Sequence, residues 1–309
     1  MKHWAITCFL CLCAGFAQAQ STSLKRLGTQ NEARGWQAVG RLDIANRGFC
    51  SGTLIAPDLV LTAAHCVYDK STGAAYQAKD FVFKAGLRDG KVAAERQIVA
   101  VAAHDGYKPT EPLSAKNVSH DVALLRLSRP IPFSEMDPFA LHTDVVKNGP
   151  VSVVSYGRGR ADAQSRQREC QMTDRQGDVL VFDCEVTFGS SGAPVFSHLN
   201  GRGRVISIIS GMAQIRGKKV ALGMYLPPLI AQLKAKLRST AFTSSIAPAP
   251  KVRRLGVGAP YSNSGLVGEH NLTSLHTPQC LMGQRCTVKR HGLHTEAGAM
   301  HRTKGLSMC

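Results

Sequence analysis

Three short segments, far apart in the chain, place a histidine, an aspartate and a serine in surroundings that constrain the fold. His65 belongs to a Thr-Ala-Ala-His-Cys run at residues 62–66, and Ser191 belongs to a Gly-Ser-Ser-Gly-Ala-Pro run at residues 189–194. Between them, Asp121 stands at the head of the apolar stretch 122–125. The order His, Asp, Ser is one of the known orders in which a catalytic triad is assembled from distant parts of a chain. We therefore expect a fold that brings these three side chains together.

The residue types fit nucleophilic catalysis. A serine hydroxyl needs an adjacent base, histidine suits that role with an unperturbed pKa of about 6.5, and a buried carboxylate fixes the imidazole tautomer. The predicted roles are base for His65, orienting acid for Asp121 and nucleophile for Ser191. Gly189 and Gly192 permit a tight turn in which the N–H groups of Gly189 and Ser191 converge into an oxyanion hole. Each donor of such a hole contributes about 2.7 to 4 kcal/mol.

The rest of the chain is typical of an all-β domain. Short apolar and β-branched runs recur between Gly, Pro, Asp and Asn residues, which favours a β-barrel or β-sandwich. One helical period appears at 226–237, where Leu229, Ile230, Leu233 and Leu237 share a face. The strand-like runs are 36–44, 52–55, 59–62, 81–85, 97–102, 122–127, 151–156, 179–182, 194–197 and 205–210.

Both ends of the sequence differ from this pattern. Residues 1–19 have a basic start, a short apolar run and an Ala-Gln-Ala site, so we predict a signal peptide and an exported protein, periplasmic or extracellular. No later segment is long and apolar enough for a membrane span. Residues 20–35 are polar and predict a short, loosely held arm. Residues 239–309 are basic and contain Ser, Pro, Gly and His, so we predict a disordered tail, with a small disulfide knot around Cys280 and Cys286 as the alternative.

Export favours disulfides over free thiols. Seven of the ten cysteines follow the signal peptide, an odd number that leaves at least one without an intramolecular partner, and Cys309 lies at the end of the tail. A Cys50–Cys66 disulfide would fasten a predicted hairpin at 54–62 to the loop of His65. In the chain-entropy model a closure of this length contributes about 3 kcal/mol.

The formal net charge of +17 predicts solubility and is compatible with a weak attraction to polyanions. No basic motif interleaved with aromatic residues is present, so we predict no specific nucleic-acid binding. We predict that His104 and His120 lie at the surface or behind the catalytic residues. His142, His198 and the five histidines of the tail lack the spacing of metal ligands, so we predict neither a metal site nor a cofactor. The oligomeric state stays open.

The Cys-Ser-Gly-Thr-Leu-Ile run at 50–55, the Leu-Thr-Ala-Ala-His-Cys run at 61–66 and the segment around Ser191 resemble the trypsin-like (chymotrypsin-fold) serine proteases, particularly bacterial secreted members. The similarity extends over the predicted domain, residues 36–238. It implies two packed six-stranded antiparallel β-barrels with the triad in the cleft between them, a C-terminal helix, and hydrolysis of protein or peptide substrates through an acyl-enzyme at Ser191. It also implies that Ser210, Gly211 and Met212 lie on a strand that binds the substrate backbone.

The pocket and the activation step depart from the family's pattern. Members activated by cleavage carry an acidic residue before the serine, which pairs with a new N-terminal amine. This chain has Ser190 at that position, and the bacterial glutamyl endopeptidases also lack an acidic residue there.

Glu185 stands six residues before Ser191, where members that cleave after Lys or Arg carry the acidic residue at the floor of the specificity pocket. A shifted register would instead place Glu185 at the surface. Thr187 and Phe188 are predicted to line the pocket in either register, and Cys170 and Cys184 to bridge a neighbouring hairpin.

Two functions therefore remain open. The first is a secreted serine endopeptidase, which all three triad side chains favour. The second is a non-catalytic protein on a protease fold that binds an anionic partner through its basic surface or tail, because a fold by itself does not assure activity.

Overall fold

The computed structural model describes residues 21–45, 47–143, 148–198 and 202–245. The predicted signal peptide and residues 246–309, with Cys280, Cys286 and Cys309, lie outside this part of the chain. The α-helices are α1 (Gln30–Ala33), α2 (Ala115–Val118) and α3 (Pro227–Ser245), and 3₁₀ helices cover Arg34–Trp36, Ala64–Val67 and Ala78–Asp80. The strands are β1 (Leu24–Arg26), β2 (Val39–Ile44), β3 (Gly48–Ala56), β4 (Leu59–Thr62), β5 (Phe81–Ala85), β6 (Ala94–Ala103), β7 (Ala123–Leu127), β8 (Gly149–Gly157), β9 (Arg160–Gln176), β10 (Val179–Phe182), β11 (Pro194–Ser197), β12 (Arg204–Ile208), β13 (Gly211–Ile215) and β14 (Lys218–Met224).

Strands β2 to β7 close into an antiparallel barrel in the order β2-β3-β4-β7-β6-β5. The alternation of buried and partly exposed residues along a strand shows why these segments form the barrel. In β5, Phe81, Phe83 and Ala85 are buried while Val82 and Lys84 are partly exposed, the period of two of a strand with one face on a core. Two fully buried phenylalanine rings on one short strand give this barrel a solid apolar interior.

The second sheet has the order β12-β11-β8-β9-β10-β14-β13, and β1 adds to β9. The chymotrypsin-like all-β fold is thereby confirmed, although this sheet has eight strands instead of the predicted six. Within the described residues it curls without closing. The 17-residue length of β9 accounts for one of the two additional strands, because β9 pairs with β8 and β10 and still has an edge for β1.

The polar arm at residues 20–35 was predicted to be loosely held, and this prediction is wrong. Thr29 caps α1 in a capping box with Glu32, a pattern that sets a helix start even in a polar segment. Leu27 is buried, and its N–H donates to the Gln164 carbonyl at 2.9 Å. The pairing of β1 with β9, the helix cap and the buried Leu27 and Ala33 therefore hold a segment whose composition resembles that of a loop.

The predicted C-terminal helix is present, and the four apolar residues of its face, Leu229, Ile230, Leu233 and Leu237, are all buried. It packs on β6 and β7 of the first barrel. The helix continues to Ser245, so the predicted start of the tail at residue 239 is wrong and lies within α3. In the described part of the chain, no helix is long and apolar enough to cross a membrane.

Candidate active site

The first barrel supplies the histidine. Strand β4 ends at Thr62, and the 3₁₀ helix Ala64–Val67 that follows carries His65 into the cleft between the two sheets. The predicted Cys50–Cys66 disulfide is present and ties this turn to β3. The His65 side chain is only 2% exposed, so the ring has little freedom to leave its position.

Asp121 lies between α2 and β7, and its carboxylate is completely buried. A buried carboxylate needs several hydrogen-bond donors, and within the described residues this one receives at least the following three. The backbone N–H of His65 donates to Oδ1 at 2.8 Å, His65 Nδ1 lies 2.7 Å from Oδ2, and Ser210 Oγ donates to Oδ2 at 2.6 Å. The carboxylate thus orients the His65 ring with a proton on Nδ1, which leaves Nε2 as an acceptor.

Ser191 completes the line of hydrogen bonds, because its Oγ lies 2.7 Å from His65 Nε2. The structure therefore brings together all three residues predicted from the order of the motifs. Gly192, the next residue, has a φ of +74°, and a Cβ there would lie 2.2 Å from Thr62 Oγ1. Only glycine fits, since any side chain would push the serine loop, residues 187–193, away from the strand that leads to His65.

The peptide planes beside Ser191 are fixed by hydrogen bonds on their carbonyl sides. Arg158 N–H donates to the Phe188 carbonyl at 2.7 Å, and Ala193 N–H donates to the Ser190 carbonyl at 2.9 Å. In a trans peptide the N–H points opposite to the C=O, so the N–H groups of Gly189 and Ser191 point away from these partners. Among the described residues, neither N–H has a protein acceptor.

Sequence reasoning missed Ser51, which links the two sheets at this site. Its Oγ donates to the Gly189 carbonyl at 2.9 Å and accepts from Tyr156 N–H at 3.0 Å, while its own N–H donates to the Ser191 carbonyl at 2.8 Å. Ser51 is fully buried. It lies inside the Cys-Ser-Gly motif, but nothing in that motif indicates a partner more than a hundred residues away.

A second missed residue is Arg160, at the start of β9. Its Nη2 donates to Ser190 Oγ at 2.9 Å and to Ser155 Oγ at 3.0 Å, and its Nη1 donates to the Ser155 carbonyl at 2.7 Å. Burial lowers the pKa of the guanidinium to about 10, while the nearby charge of Glu185 acts in the opposite direction. An arginine in a basic-rich strand carries no sequence signal of such a contact.

The residues predicted to contact substrate occupy different surroundings. Ser210 bonds to Asp121, whereas Gly211 and Met212 begin β13, whose outer edge is unpaired in the described part of the sheet. Glu185 is exposed, and its backbone N–H donates to Gln167 Oε1 at 2.7 Å. Thr187 is also exposed, and its N–H donates to Ser190 Oγ at 3.2 Å.

Phe188 is 40% exposed, and the Arg158 guanidinium lies 4.3 Å from the centre of its ring. Both residues line a cavity of about 610 Å³ beside His65, together with Phe49, Gly189 and the Cys50–Cys66 disulfide. The lining does not include the β13 edge, so the cavity continues the cleft on the other side of His65.

Two clusters among the described residues have metal-ligand types with ligand atoms within 4.8 Å of one another: Cys50 with His65 and Cys66, and Cys170 with Asp183 and Cys184. The cysteines of both are joined in disulfides, including the predicted Cys170–Cys184 pair. A disulfide sulfur is not the thiolate that binds a metal. These clusters therefore do not favour a metal centre.

The sequence profile of the trypsin-like peptidase domain matches residues 50–208, just over half of the chain. The chain belongs to the trypsin-like peptidase family. A structure of Glu endopeptidase in complex with MPD has the same fold, with a TM-score of 0.57 and 13% identity, and the match covers 70% of this chain and 96% of that one. The resemblance predicted from the motifs is thus confirmed, while the bacterial branch stays a prediction.

Among curated relatives, the CLIP domain-containing serine protease HP8 of Bombyx mori is 31% identical over 128 residues, covering 37% of this chain and 34% of that protein. Glucanase inhibitor protein 1 of Phytophthora sojae is 28% identical over 145 residues, covering 46% of this chain and 52% of that protein. The chain spans about half or less of these relatives. They include a protein named as a protease and one named as an inhibitor.

Proposed function

We propose that this protein is a secreted serine endopeptidase that cleaves peptide bonds through an acyl-enzyme at Ser191. The observation that carries the proposal is the continuous line of hydrogen bonds from Asp121 through both ring nitrogens of His65 to Ser191 Oγ. A serine, a base and a base-orienting carboxylate at these distances are the parts that acyl transfer requires.

In the first half of the reaction, His65 Nε2 takes the proton of Ser191 Oγ as the oxygen bonds to the carbonyl carbon of the substrate. The oxygen of that carbonyl becomes negative and accepts hydrogen bonds from the N–H groups of Gly189 and Ser191. His65 then gives its proton to the nitrogen of the leaving peptide, and the C–N bond breaks. In the second half, His65 takes a proton from water, the hydroxide oxygen bonds to the acyl carbon, and Ser191 Oγ leaves with the proton returned by His65.

The substrate is a protein or peptide in extended conformation. In the described part of the sheet no strand pairs with the outer edge of β13, which begins at Gly211 and Met212, and an extended chain adds to such an edge as a further strand. The apolar start of the sequence at residues 1–19 and the two disulfides support export, because disulfides persist in oxidising compartments.

Covalent labelling tests the proposal. A fluorophosphonate probe, which reacts with activated serines, should label the wild type and a Ser128→Ala control, whose exposed serine lies outside the site, but should not label Ser191→Ala. Equal labelling of Ser191→Ala and wild type would reject Ser191 as the nucleophile. Cleavage of a mixed peptide library by the wild type alone would then identify the reaction as peptide hydrolysis.

The second candidate is a non-catalytic binding protein, which the match to a protein named glucanase inhibitor favours. It predicts that the correctly folded wild type is inert to the probe and cleaves no peptide. Binding to an anionic polymer that weakens with salt would then identify the basic surface as the functional one.

A further inference from the structure

The residue before the nucleophile, Ser190, is the centre of a buried hydrogen-bond network. Its Oγ accepts from Thr187 N–H at 3.2 Å and from Arg160 Nη2 at 2.9 Å, and lies 3.3 Å from the Tyr156 carbonyl, to which it donates. Its own N–H donates to the Thr187 carbonyl at 2.9 Å. The hydroxyl thus fixes the turn 187–190, which contains the peptide that carries the Gly189 N–H.

Arg160 supplies the charged member of this network. The guanidinium divides its donors between Ser190 and Ser155, and in the described part of the chain it makes no salt bridge with a carboxylate. Gly157 makes room for it, since a Cβ at that position would lie 2.7 Å from Arg160 Nη2 and 2.6 Å from Thr187 Oγ1. The backbone at Gly157 therefore leaves space for the arginine, and Nη2 of the arginine reaches the loop that carries Ser191 through Ser190 Oγ.

The turn is also attached through neutral hydrogen bonds to its backbone carbonyls, among them that of Ala193 N–H to the Ser190 carbonyl at 2.9 Å. Arg158 N–H binds the Phe188 carbonyl, and Ser51 Oγ binds the Gly189 carbonyl. Without the Arg160 contact, Ser190 Oγ would lose its charged donor, and charge-assisted hydrogen bonds are roughly twice as strong as neutral ones. The orientation of the Gly189 peptide would then depend on the weaker attachments.

We propose that Arg160 is a positioning residue for the oxyanion hole: its guanidinium holds Ser190 and thereby keeps the Gly189 and Ser191 N–H groups directed at the reacting carbonyl. The inference rests on the proposed function and adds a regulatory consequence. Because the cation that holds the loop belongs to β9, the site is assembled without a newly generated N-terminal amine.

The experiment compares Arg160→Met, which keeps the apolar stem and removes the donors, with Arg160→Lys and with Arg166→Met. Arg166 is the matched control, because it lies on the same strand and is half-buried with its guanidinium over the Trp36 ring. The readouts are kcat, KM, Tm and the affinity for a peptide boronate, which mimics the tetrahedral intermediate. A displacement of about 1 Å in a catalytic group can cost 10²-fold, so we expect kcat and boronate affinity of Arg160→Met to fall together by about 10- to 100-fold, with KM nearly unchanged.

Arg160→Lys should recover part of both quantities, and Arg166→Met should retain wild-type kcat and boronate affinity. A merely structural role for Arg160 would lower Tm while the folded protein kept its kcat and boronate affinity, and that result would overturn the proposal. If Arg160→Met does not fold, Ser190→Ala breaks the same contact and leaves Arg160 bound to Ser155. The loss of kcat should be similar, and unchanged kcat would refute the inference.

A third arm does not depend on folding of a variant. The protein beginning at Gln20 and the same protein with five additional N-terminal residues should have equal kcat, and activity that appears only after the extension is removed would contradict an internal cation. Fluorophosphonate labelling of the wild type separates the two levels of inference. A labelled wild type with an unaffected Arg160→Met variant refutes the role of Arg160 alone, whereas an unlabelled wild type refutes the proposed function.

Discussion

Deletion of the Ser51 hydroxyl tests whether the two sheets are coupled at the site. In Ser51→Ala, the N–H of the fully buried Tyr156 loses its 3.0 Å acceptor and the Gly189 carbonyl loses its 2.9 Å donor. An orphaned buried donor costs about 1–3 kcal/mol, whereas the removed hydroxyl leaves almost no cavity. A loss of about 2 kcal/mol corresponds to a Tm lower by about 4–8 °C for a domain of this size. We also expect a lower kcat, because the Gly189 peptide is no longer held from the first barrel.

Calorimetry and peptide hydrolysis measure the two effects. The matched control is Thr53→Val, a hydroxyl deletion two residues further along β3, where Thr53 Oγ1 makes only a long 3.4 Å contact with the Ala38 carbonyl. This control should change Tm by less than half as much and leave kcat unaltered. If Ser51→Ala were as stable and as active as Thr53→Val, the hydroxyl would not couple the sheets and the reasoning would be refuted.

Three further predictions follow from the same contacts. Ser210→Ala removes one of the three donors to the buried Asp121 carboxylate, and we expect kcat/KM to fall about tenfold, equivalent to about 1.4 kcal/mol, in a protein that still folds; an unchanged value would show that the other two donors suffice. Burial lowers the pKa of His104 below its usual value of 6.5, so His104 binds a proton less readily in the folded state than in the unfolded state, and Tm should fall as the pH drops through about 6.5. His104→Gln should flatten that part of the plot of Tm against pH, and an identical slope would exclude His104 as the cause of the pH dependence. Arg158 lines the cavity away from the β13 edge, so substrates with Glu after the cleaved bond should be preferred over those with Gln, and Arg158→Gln should abolish the preference. The same peptide library, cleaved by Glu185→Gln, tests the preference before the cleaved bond. A loss of Lys or Arg preference there is expected only if Glu185 faces the substrate.

The part of the site that could be predicted from the sequence is the part whose residues carry local signals. His65 follows a strand and precedes a cysteine, and Ser191 lies between glycines, so the local motif indicates both residue and role. Gly192 shows the physical basis, because its φ of +74° and its close contact with Thr62 exclude every other residue type. A position with a single permitted residue leaves a recognisable pattern in one sequence.

Ser51 and Arg160 could not be predicted. Serine and arginine commonly occur at the surface, where many other residue types would serve as well, and nothing in the local sequence distinguishes a buried serine or arginine from an exposed one. Their roles depend on partners far along the chain: Ser51 meets Gly189, 138 residues away, and Arg160 meets Ser190, 30 residues away. The second sheet was misjudged for the same reason. β1 pairs with β9 because β9 is long and because Leu27 is buried beside it. The polar composition of residues 20–35 indicates neither feature.

The serine loop is held by contacts from both sheets, and this arrangement determines how activity is lost when the protein unfolds. From the first barrel, Ser51 binds the carbonyls of Gly189 and Ser191; from the second sheet, Arg160 binds Ser190. Because His65 and Asp121 also belong to the first barrel, any movement between the sheets separates the base from the nucleophile and releases the oxyanion donors at the same time. Loss of activity in denaturant should therefore precede or coincide with the loss of tertiary structure. A protein that kept full activity after the sheets had separated, measured by probes on each sheet, would contradict this shared anchoring.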